Sequence, residues 1–216
     1  MKYEAILFDF DYTLGDATDS IYDGFCFGLE KMGYPKPGLE EVQRTVGYTL
    51  EDGFTQLTGE GDEARRKEFR VIYKDHVRDT QAKLCRLCPG ARELLEALHD
   101  REVKVGIVSS KNLDTLESIF EYHGVSGLID FIIGGDTVKR PKPDPEGLEA
   151  GIRTLRVDKA RTLYCGDTTI DAETGRNVGV DFSAVLNGVT PASAFEAYPH
   201  VHIAPDLMEL KSWLGI

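Results

Sequence analysis

A short apolar run that ends in two carboxylates, two residues apart, constrains this chain more than any other feature. The run covers residues 5–8, and Asp9 and Asp11 follow it, with the hydroxyl of Thr13 two residues later. A continuous apolar run of this length is typical of a strand buried in a parallel sheet. Ligand sites in open α/β sheets lie where such strands end, and residues i and i+2 of an extended chain point the same way. Asp9 and Asp11 are therefore expected to face one crevice, where their repulsion requires a cation or a shared proton.

Apolar runs alternate with helical patterns through the second part of the chain. The predicted strands after the first are Val103–Val108, Phe131–Ile133, Thr162–Cys165, Phe182–Leu186 and His202–Ile203. The predicted helices cover residues 90–100, 112–123, 144–155, 169–178 and 205–214. This βαβ alternation predicts an α/β fold with a doubly wound, Rossmann-like parallel sheet and helices on both faces. Asp144 followed by Pro145 is expected to start one helix, and Gly179 to end another.

Residues 16–88 break the alternation and are predicted to be consecutive helices, over about 18–32, 38–46, 50–58 and 62–81. Thr49, with Asp52 three residues later, resembles a capping box. The pattern predicts a core domain of residues 1–15 and 89–216 with an inserted α-helical cap domain of residues 16–88. Both junctions carry glycine, Gly15 and Gly90, which suits hinges.

Charge and composition exclude several classes of partner. The net charge is −12 over 216 residues and there is no basic stripe, so we expect no nucleic-acid binding. No apolar run approaches the roughly 18 residues of a membrane span, and no signal peptide is evident, so we expect a cytoplasmic protein without a membrane partner. Cys85 and Cys88 form a C-x-x-C spacing, but neither a second ligand pair nor a thioredoxin-like context accompanies it, which favours a packing role.

Further polar groups follow the predicted strands at the same edge of the sheet. Ser109 follows the second predicted core strand, where its hydroxyl can donate to an anion, and Lys142 lies in a proline-rich loop. Asp167 ends another strand, and Asp171 falls in the first turn of the next helix, where the helix dipole favours a carboxylate. Each residue alone is ordinary in a loop or turn. Their coincidence at successive strand ends disfavours a purely structural interpretation.

Four carboxylates in one pocket require a hard cation. Mg²⁺ takes oxygen ligands and favours sites with one or two carboxylates plus a substrate phosphate. Together with a lysine and a serine, such a centre makes a phosphoryl-binding site. An aspartate can accept a phosphoryl group covalently, and a second can act as general acid and then as general base. The sequence therefore predicts Mg²⁺-dependent phosphoryl chemistry.

The motifs around these residues resemble the four signature motifs of the haloacid dehalogenase-like hydrolase superfamily. They are Asp9-Phe-Asp11-Tyr-Thr13, Ser109, Lys142 and Gly166-Asp167-x-x-x-Asp171. The helical insertion resembles the C1-type cap of that superfamily, as in phosphoglycolate phosphatases. The resemblance implies that Asp9 is the nucleophile and Asp11 the general acid/base, and that Ser109 and Lys142 hold the phosphoryl group. The implied metal ligands are Asp9, the backbone carbonyl of Asp11, Asp167 and, directly or through water, Asp171.

Two departures from the family pattern bear on specificity. Tyr12 stands where members commonly carry glycine, so a large ring is expected beside the nucleophile, and Ser109-Ser110 replaces the common Thr-Asn. Members that act as dehalogenases lack the acid corresponding to Asp11, because halide needs no proton to leave. A phosphatase for a short phosphorylated acid such as phosphoglycolate is the first hypothesis. Arg44 and Tyr48 are the cap residues expected to contact this small phosphorylated metabolite.

Other functions remain open at this point. A β-phosphoglucomutase-like phosphomutase, an inorganic pyrophosphatase and a nucleotidase share the same motifs and cap class. A phospho-receiver also uses an aspartate, Mg²⁺, a hydroxyl and a lysine, but it places its acceptor after the third strand and carries no helical insertion. A catalytically silent phosphate-binding module is disfavoured by the complete motif set. Neither the substrate nor the oligomeric state can be read from the sequence.

Overall fold

The computed structural model describes residues 2–216. Its strands are β1 (Ala5–Phe8), β2 (Gly15–Asp16), β3 (Arg86–Leu87), β4 (Lys104–Val108), β5 (Phe131–Ile133), β6 (Thr162–Gly166), β7 (Asp181–Val185) and β8 (His202–Ala204). Its α-helices are α1 (Thr18–Lys31), α2 (Leu39–Gln43), α3 (Leu50–Thr58), α4 (Glu63–Val77), α5 (Gln81–Leu84), α6 (Ala91–His99), α7 (Leu113–Tyr122), α8 (Glu146–Leu155), α9 (Thr169–Val178) and α10 (Leu207–Leu214). Short 3₁₀ turns cover Ser126–Leu128, Lys159–Arg161 and Ala192–Ala197.

Six strands form one parallel sheet in the order β5-β4-β1-β6-β7-β8. The predicted α/β fold with a parallel Rossmann-like sheet is therefore confirmed. All four residues of β1 are buried, because the strand is central and covered on both faces. Leu7 pairs with Gly106 of β4 on one side and with Tyr164 of β6 on the other.

The strand order places the direction change of the sheet at β1. The chain leaves β1 toward β4 and β5 on one side, and β6, β7 and β8 follow on the other side. The carboxyl ends of β1, β4 and β6 are therefore neighbours at this switch point, where open α/β sheets bind their ligands. Asp9, Ser109 and Asp167 each directly follow one of these three strands.

The chain divides into two compact units, one made of the residues up to Asp16 together with Leu87–Ile216, and the other of Ala17–Arg86. The first unit contains the six-stranded sheet. The second contains α1 to α5. Interpreting them as a catalytic core and a cap stays a prediction. Among residues 2–216, no helix combines the length and the apolar character that crossing a bilayer requires.

Aromatic rings fill the interior of the helical unit. Phe69 of α4 lies 5.1 Å from the Phe25 ring and 4.9 Å from the Phe54 ring, centroid to centroid. Two glycines of α1 let α4 approach closely, because a Cβ on Gly24 would lie 2.4 Å from the Tyr73 ring, and one on Gly28 would lie 2.7 Å from Phe69. The amphipathic patterns of these helices therefore bury one shared aromatic core.

Some predicted boundaries are wrong, and each has a local cause. The helix predicted over 62–81 ends at Val77, because the backbone N–H and the hydroxyl of Thr80 both donate to the Val77 carbonyl, at 3.1 and 3.3 Å. The helix predicted from residue 144 begins at Glu146, whose N–H donates to Asp144 Oδ1 at 2.9 Å. Two other end signals are confirmed. Thr49 Oγ1 accepts the Asp52 N–H at 3.1 Å, and Gly179 ends α9 with φ +78°.

Candidate active site

The loop after β1 is a tight turn closed by its own backbone. The N–H of Asp9 donates to the Cys165 carbonyl at 2.9 Å, so the hydrogen bonding to β6 continues one residue past the end of β1. The carbonyl of Phe10 then accepts the N–H groups of residues 13–15, at 2.9 to 3.1 Å. Tyr12 takes φ +53°, in the left-handed region that favours glycine. This turn brings the Asp11 carboxylate back toward the crevice beside the strand ends.

Three buried carboxylates meet at the switch point. Oxygens of Asp9, Asp167 and Asp171 lie within 4.8 Å of one another. Oδ1 of Asp9, Asp11 and Asp167 are buried and accept no hydrogen bond within the described chain. Burial raises the pKa of Asp9 to about 6 and holds the pKa of Asp167 well above its usual range, and the neighbouring carboxylates add to both effects. Three carboxylates this close together therefore need positive charge beside them.

Lys142 supplies one ammonium group to this cluster. Its Nζ lies 2.7 Å from Asp171 Oδ1, 3.0 Å from Asp9 Oδ1 and 3.4 Å from the Tyr164 hydroxyl. Burial opposes the charge, but Asp171 and then Asp9 outweigh it and raise the pKa of Lys142 above its usual value. The side chain comes from the loop before α8, where the Lys142–Pro143 peptide bond is cis.

Asp171 differs from the other carboxylates because protein donors occupy both of its oxygens. Oδ1 accepts from Lys142 and from the Tyr164 hydroxyl, at 2.7 and 2.9 Å. Oδ2 accepts from the N–H and the hydroxyl of Thr168, at 3.1 and 2.6 Å. Thr168 and Asp171 form the capping box of α9, so the start of this helix fixes the carboxylate.

The loop after β4 brings a second ammonium group that the sequence analysis missed. Lys111 Nζ lies 3.2 Å from Asp11 Oδ2, and these two side chains are only 13% and 12% exposed. Ser109, two residues earlier, is buried and is held by the donation of its N–H to the Ile133 carbonyl at 3.1 Å. A lysine directly after a loop serine has no pattern that distinguishes it from a solvated surface lysine.

A further loop that reaches the cluster follows β7, and its sequence, Asn187-Gly188, reads as an ordinary turn. The side-chain amide of Asn187 donates to the Thr13 carbonyl at 3.2 Å. A Cβ on Gly188 would lie 2.1 Å from Asp167 Oδ2, so glycine is required here by close approach to the carboxylate. The Asn187-Gly188 loop thus supports both the turn after β1 and Asp167.

The predicted cap residues lie in the helical unit, and both are exposed there. Arg44 ends α2, with Nη2 3.7 Å from Glu40 Oε2, and Tyr48 lies in the loop before α3. Their proposed contact with substrate stays a prediction. The thiols of Cys85 and Cys88 are both buried. Burial raises the pKa of Cys88 to about 12, so that thiol stays protonated at neutral pH, which suits packing better than redox or metal chemistry.

The donor set fits a hard divalent cation. Four carboxylates, those of Asp9, Asp11, Asp167 and Asp171, face the two ammonium groups described above. Three buried carboxylate oxygens accept no hydrogen bond, which is costly unless another positive group binds them. The donors are oxygens without histidine or thiolate, the set that Mg²⁺ prefers. The residues therefore fit the predicted metal, and Lys142 lies beside them.

Known proteins resemble this chain in sequence and in structure. Residues 6–185 match the family profile described as haloacid dehalogenase-like hydrolase. Pyrophosphatase PpaX of Halalkalibacterium halodurans is 28% identical, over 97% of each chain. Phosphoglycolate phosphatase of Rhodobacter capsulatus is 29% identical, over 91% of this chain and 90% of its own. A crystal structure from Bacteroides fragilis, assigned to the haloacid dehalogenase-like hydrolases, is 37% identical with a TM-score of 0.94, over 96% of this chain and 99% of its own.

Proposed function

The chain belongs to the haloacid dehalogenase-like hydrolase family, and we propose that it is a Mg²⁺-dependent phosphatase that hydrolyses a small phosphoester through an aspartyl-phosphate intermediate. The observation that carries this proposal is the buried cluster of Asp9, Asp167 and Asp171 with Lys142 inside it. In this proposal the unit with the six-stranded sheet is the catalytic core, and Ala17–Arg86 is the cap.

The first half-reaction uses the two carboxylates of the turn after β1. A carboxylate oxygen of Asp9 attacks the phosphorus atom, and the bond between phosphorus and the leaving oxygen breaks. Asp11 donates a proton to that oxygen. Lys142 and the Ser109 hydroxyl donate to the phosphoryl oxygens and offset their charge, which is the main contribution a protein makes to phosphoryl transfer.

The second half-reaction regenerates the enzyme. Asp11, now ionised, removes a proton from a water molecule that attacks the phosphorus atom of the aspartyl phosphate. The bond between phosphorus and Asp9 breaks, inorganic phosphate leaves, and Asp11 keeps the proton for the next substrate. Burial of Asp9 excludes bulk water from the nucleophile before substrate binds.

Mg²⁺ would be held by Asp9, Asp167 and the backbone carbonyl of Asp11. When bound, it offsets carboxylate charge and polarises a phosphoryl oxygen. Oδ1 of Asp167 accepts no hydrogen bond, which suits a direct ligand. Asp171 has protein donors on both oxygens, so we assign it to holding Lys142 rather than to direct ligation.

The substrate of this proposal carries a second negative group. Relatives are named for pyrophosphate and for phosphoglycolate, and both compounds carry one. Lys111 lies beside Asp11, the proposed donor to the leaving oxygen, so its ammonium can attract an anionic leaving group. Phosphoglycolate or a similar short phosphorylated acid is the first choice, ahead of pyrophosphate and nucleoside monophosphates. Arg44 is the cationic contact proposed for the cap.

One panel of assays tests the reaction class. Wild-type protein is incubated with phosphoglycolate, pyrophosphate, hexose phosphates, nucleoside monophosphates and p-nitrophenyl phosphate, with MgCl₂ or with EDTA. We expect hydrolysis only with Mg²⁺, none in Asp9→Asn, and a phosphoenzyme in wild type alone after rapid acid quench. Turnover that persists in EDTA, or in Asp9→Asn at the wild-type rate, would contradict the metal or the nucleophile assignment, respectively.

A pair of variants separates the two cations proposed for the leaving group. We expect Lys111→Met to raise KM for phosphoglycolate more than for p-nitrophenyl phosphate, because the latter leaving group has no carboxylate. Arg44→Ala is expected to do the same if the cap also contacts the carboxylate. Equal effects on both substrates in both variants, or a higher kcat/KM for hexose phosphates, would exclude a short phosphorylated acid and leave the phosphatase assignment intact.

A further inference from the structure

The hydroxyl of Tyr164 lies inside the acidic cluster and has no role in the reaction described above. Tyr164 is a β6 residue with no exposed surface, and its ring packs in the core beside Phe182, 6.1 Å away between centroids. Its oxygen lies 2.9 Å from Asp171 Oδ1, 3.4 Å from Lys142 Nζ and 3.3 Å from the Val108 carbonyl. In the sequence it is one apolar residue of a strand, so no pattern marks it.

We propose that Tyr164 is a positioning residue that orients the ammonium group of Lys142 toward the phosphoryl group. This inference rests on the proposed function, in which Lys142 binds phosphoryl oxygens. A lysine side chain has four rotatable bonds and loses considerable entropy when it is fixed. Lys142 also comes from a loop whose neighbours Arg140 and Pro141 are exposed. Its fixed contacts must therefore come from the sheet and from α9.

The donor count of the ammonium group supports this role. An ammonium group has three N–H donors. Hydrogen-bond geometry is met toward Asp171 and toward the Tyr164 hydroxyl, whereas Asp9 Oδ1 is near enough for an ion pair but accepts no hydrogen bond. Two donors are thereby directed by a helix and a central strand, and the third can reach only Asp9 Oδ1, 3.0 Å away on the proposed nucleophile. That third donor is the one available to a phosphoryl oxygen.

The hydroxyl of Tyr164 can accept from Lys142 and donate its own proton at the same time in only one orientation. Lysine has no lone pair when charged, so the tyrosine oxygen accepts from Lys142 and its proton goes to another acceptor. The nearer acceptor is Asp171 Oδ1. Burial, together with the charges of Asp171 and Asp9, holds the pKa of Tyr164 well above its usual value, so the hydroxyl keeps that proton.

Tyr164→Phe removes the oxygen and keeps the ring. Tyr3→Phe is the matched control, because Tyr3 is also a buried tyrosine of the same unit whose hydroxyl donates to an aspartate, Asp181, at 2.8 Å. Both variants and wild type are compared for inorganic phosphate binding in MgCl₂ by isothermal titration calorimetry, for kcat and KM, and for Tm. Calorimetry measures phosphate binding, in which Lys142 is proposed to take part, without requiring turnover.

We expect Tyr164→Phe to bind inorganic phosphate roughly 10- to 100-fold more weakly and to lose a similar factor in kcat/KM, the usual effect of losing a hydrogen bond to a charged group. Tyr3→Phe is expected to keep wild-type phosphate affinity and kcat/KM, with a Tm change like that of Tyr164→Phe. If Tyr164→Phe changes Tm alone and binds phosphate like wild type, the hydroxyl is only a satisfied core group and the inference is wrong. Wild-type protein that binds phosphate but hydrolyses nothing would contradict the proposed function and leave this comparison valid.

Discussion

Adding a single methyl group to Gly188 is expected to disable the acidic cluster without unfolding the protein. An alanine Cβ at this position would lie 2.1 Å from Asp167 Oδ2 and 3.1 Å from the Cβ of Tyr12. Normal packing distances require the carboxylate or the Asn187-Gly188 loop to move by about 1 Å. The backbone of Gly188 does not lie in the left-handed region, so alanine adds no backbone strain.

The Asp167 carboxylate is expected to move more readily than the Asn187-Gly188 loop, and its displacement disturbs the acidic cluster. Asp167 has a short side chain that can rotate, whereas the loop backbone is anchored by Asn187 to the Thr13 carbonyl. A misplacement of about 1 Å at a reacting centre costs roughly 10²-fold in rate. We therefore expect Gly188→Ala to lose about 10²-fold in kcat/KM and to need more Mg²⁺ for half-maximal activity.

The assay pairs kinetics with thermal unfolding. Gly127→Ala is the control, because a Cβ there meets no atom within 4 Å and the residue lies in the same unit. Gly188→Ala is expected to unfold within a few degrees of wild type while its Mg²⁺ requirement rises, and Gly127→Ala to match wild type in both. Unchanged kcat/KM and Mg²⁺ dependence in Gly188→Ala would refute the reasoning. A collapse of Tm would instead assign the glycine to folding.

Three further outcomes follow from the site and from α3. Because burial raises the pKa of Asp9 to about 6, protons compete with the cation for this carboxylate below that pH. In metal-free protein, Asp9 increases the free energy of unfolding as the pH falls from about 6 to 4, because the folded state binds the proton more tightly than the unfolded state. The rise in Tm on adding MgCl₂ should therefore be largest above about pH 7 and shrink toward pH 5; a rise independent of pH would contradict this. Asp11→Asn should slow turnover by roughly 10²- to 10⁴-fold, most for poor leaving groups, as rates for alkyl and nitrophenyl esters would reveal. Thr49→Ala should cost about 1 kcal/mol in urea unfolding through loss of the α3 cap, with Thr49→Ser close to wild type.

The residues that could be predicted from the sequence are those that the strand ends position. Apolar runs precede Asp9, Ser109 and Asp167, and the carboxyl ends of parallel strands meet at one edge of a sheet. These two facts were enough to predict that the three residues lie near one another, and the observed strand order agrees. Lys142 was predictable because prolines mark its loop as stiff. These placements depend on local pattern and on topology, both of which a single sequence carries.

The residues that could not be predicted depend on contacts between distant segments. Tyr164 reads as a strand residue because nothing nearby in sequence shows that its hydroxyl meets Asp171. Lys111 reads as a surface lysine, and its burial becomes visible only when Asp11 turns toward it. Gly188 reads as a turn glycine, although glycine is required there because the Asp167 carboxylate lies too close for a Cβ, and not because of the backbone conformation. In each case the chemistry depends on a short distance between residues that are far apart in the sequence, and no motif spacing predicts such a distance.

The central position of β1 has a consequence for how the polypeptide is made. Ala5 pairs with Lys104 on one side and with Thr162 on the other, so β1 has no pairing partner until synthesis has reached β4. The contiguous segment Ala17–Arg86 can collapse on its own aromatic interior during that interval. Four consecutive apolar residues then remain as an unpaired edge that is open to misassembly. Such long-range closure slows folding, and we expect refolding yield to fall steeply with protein concentration.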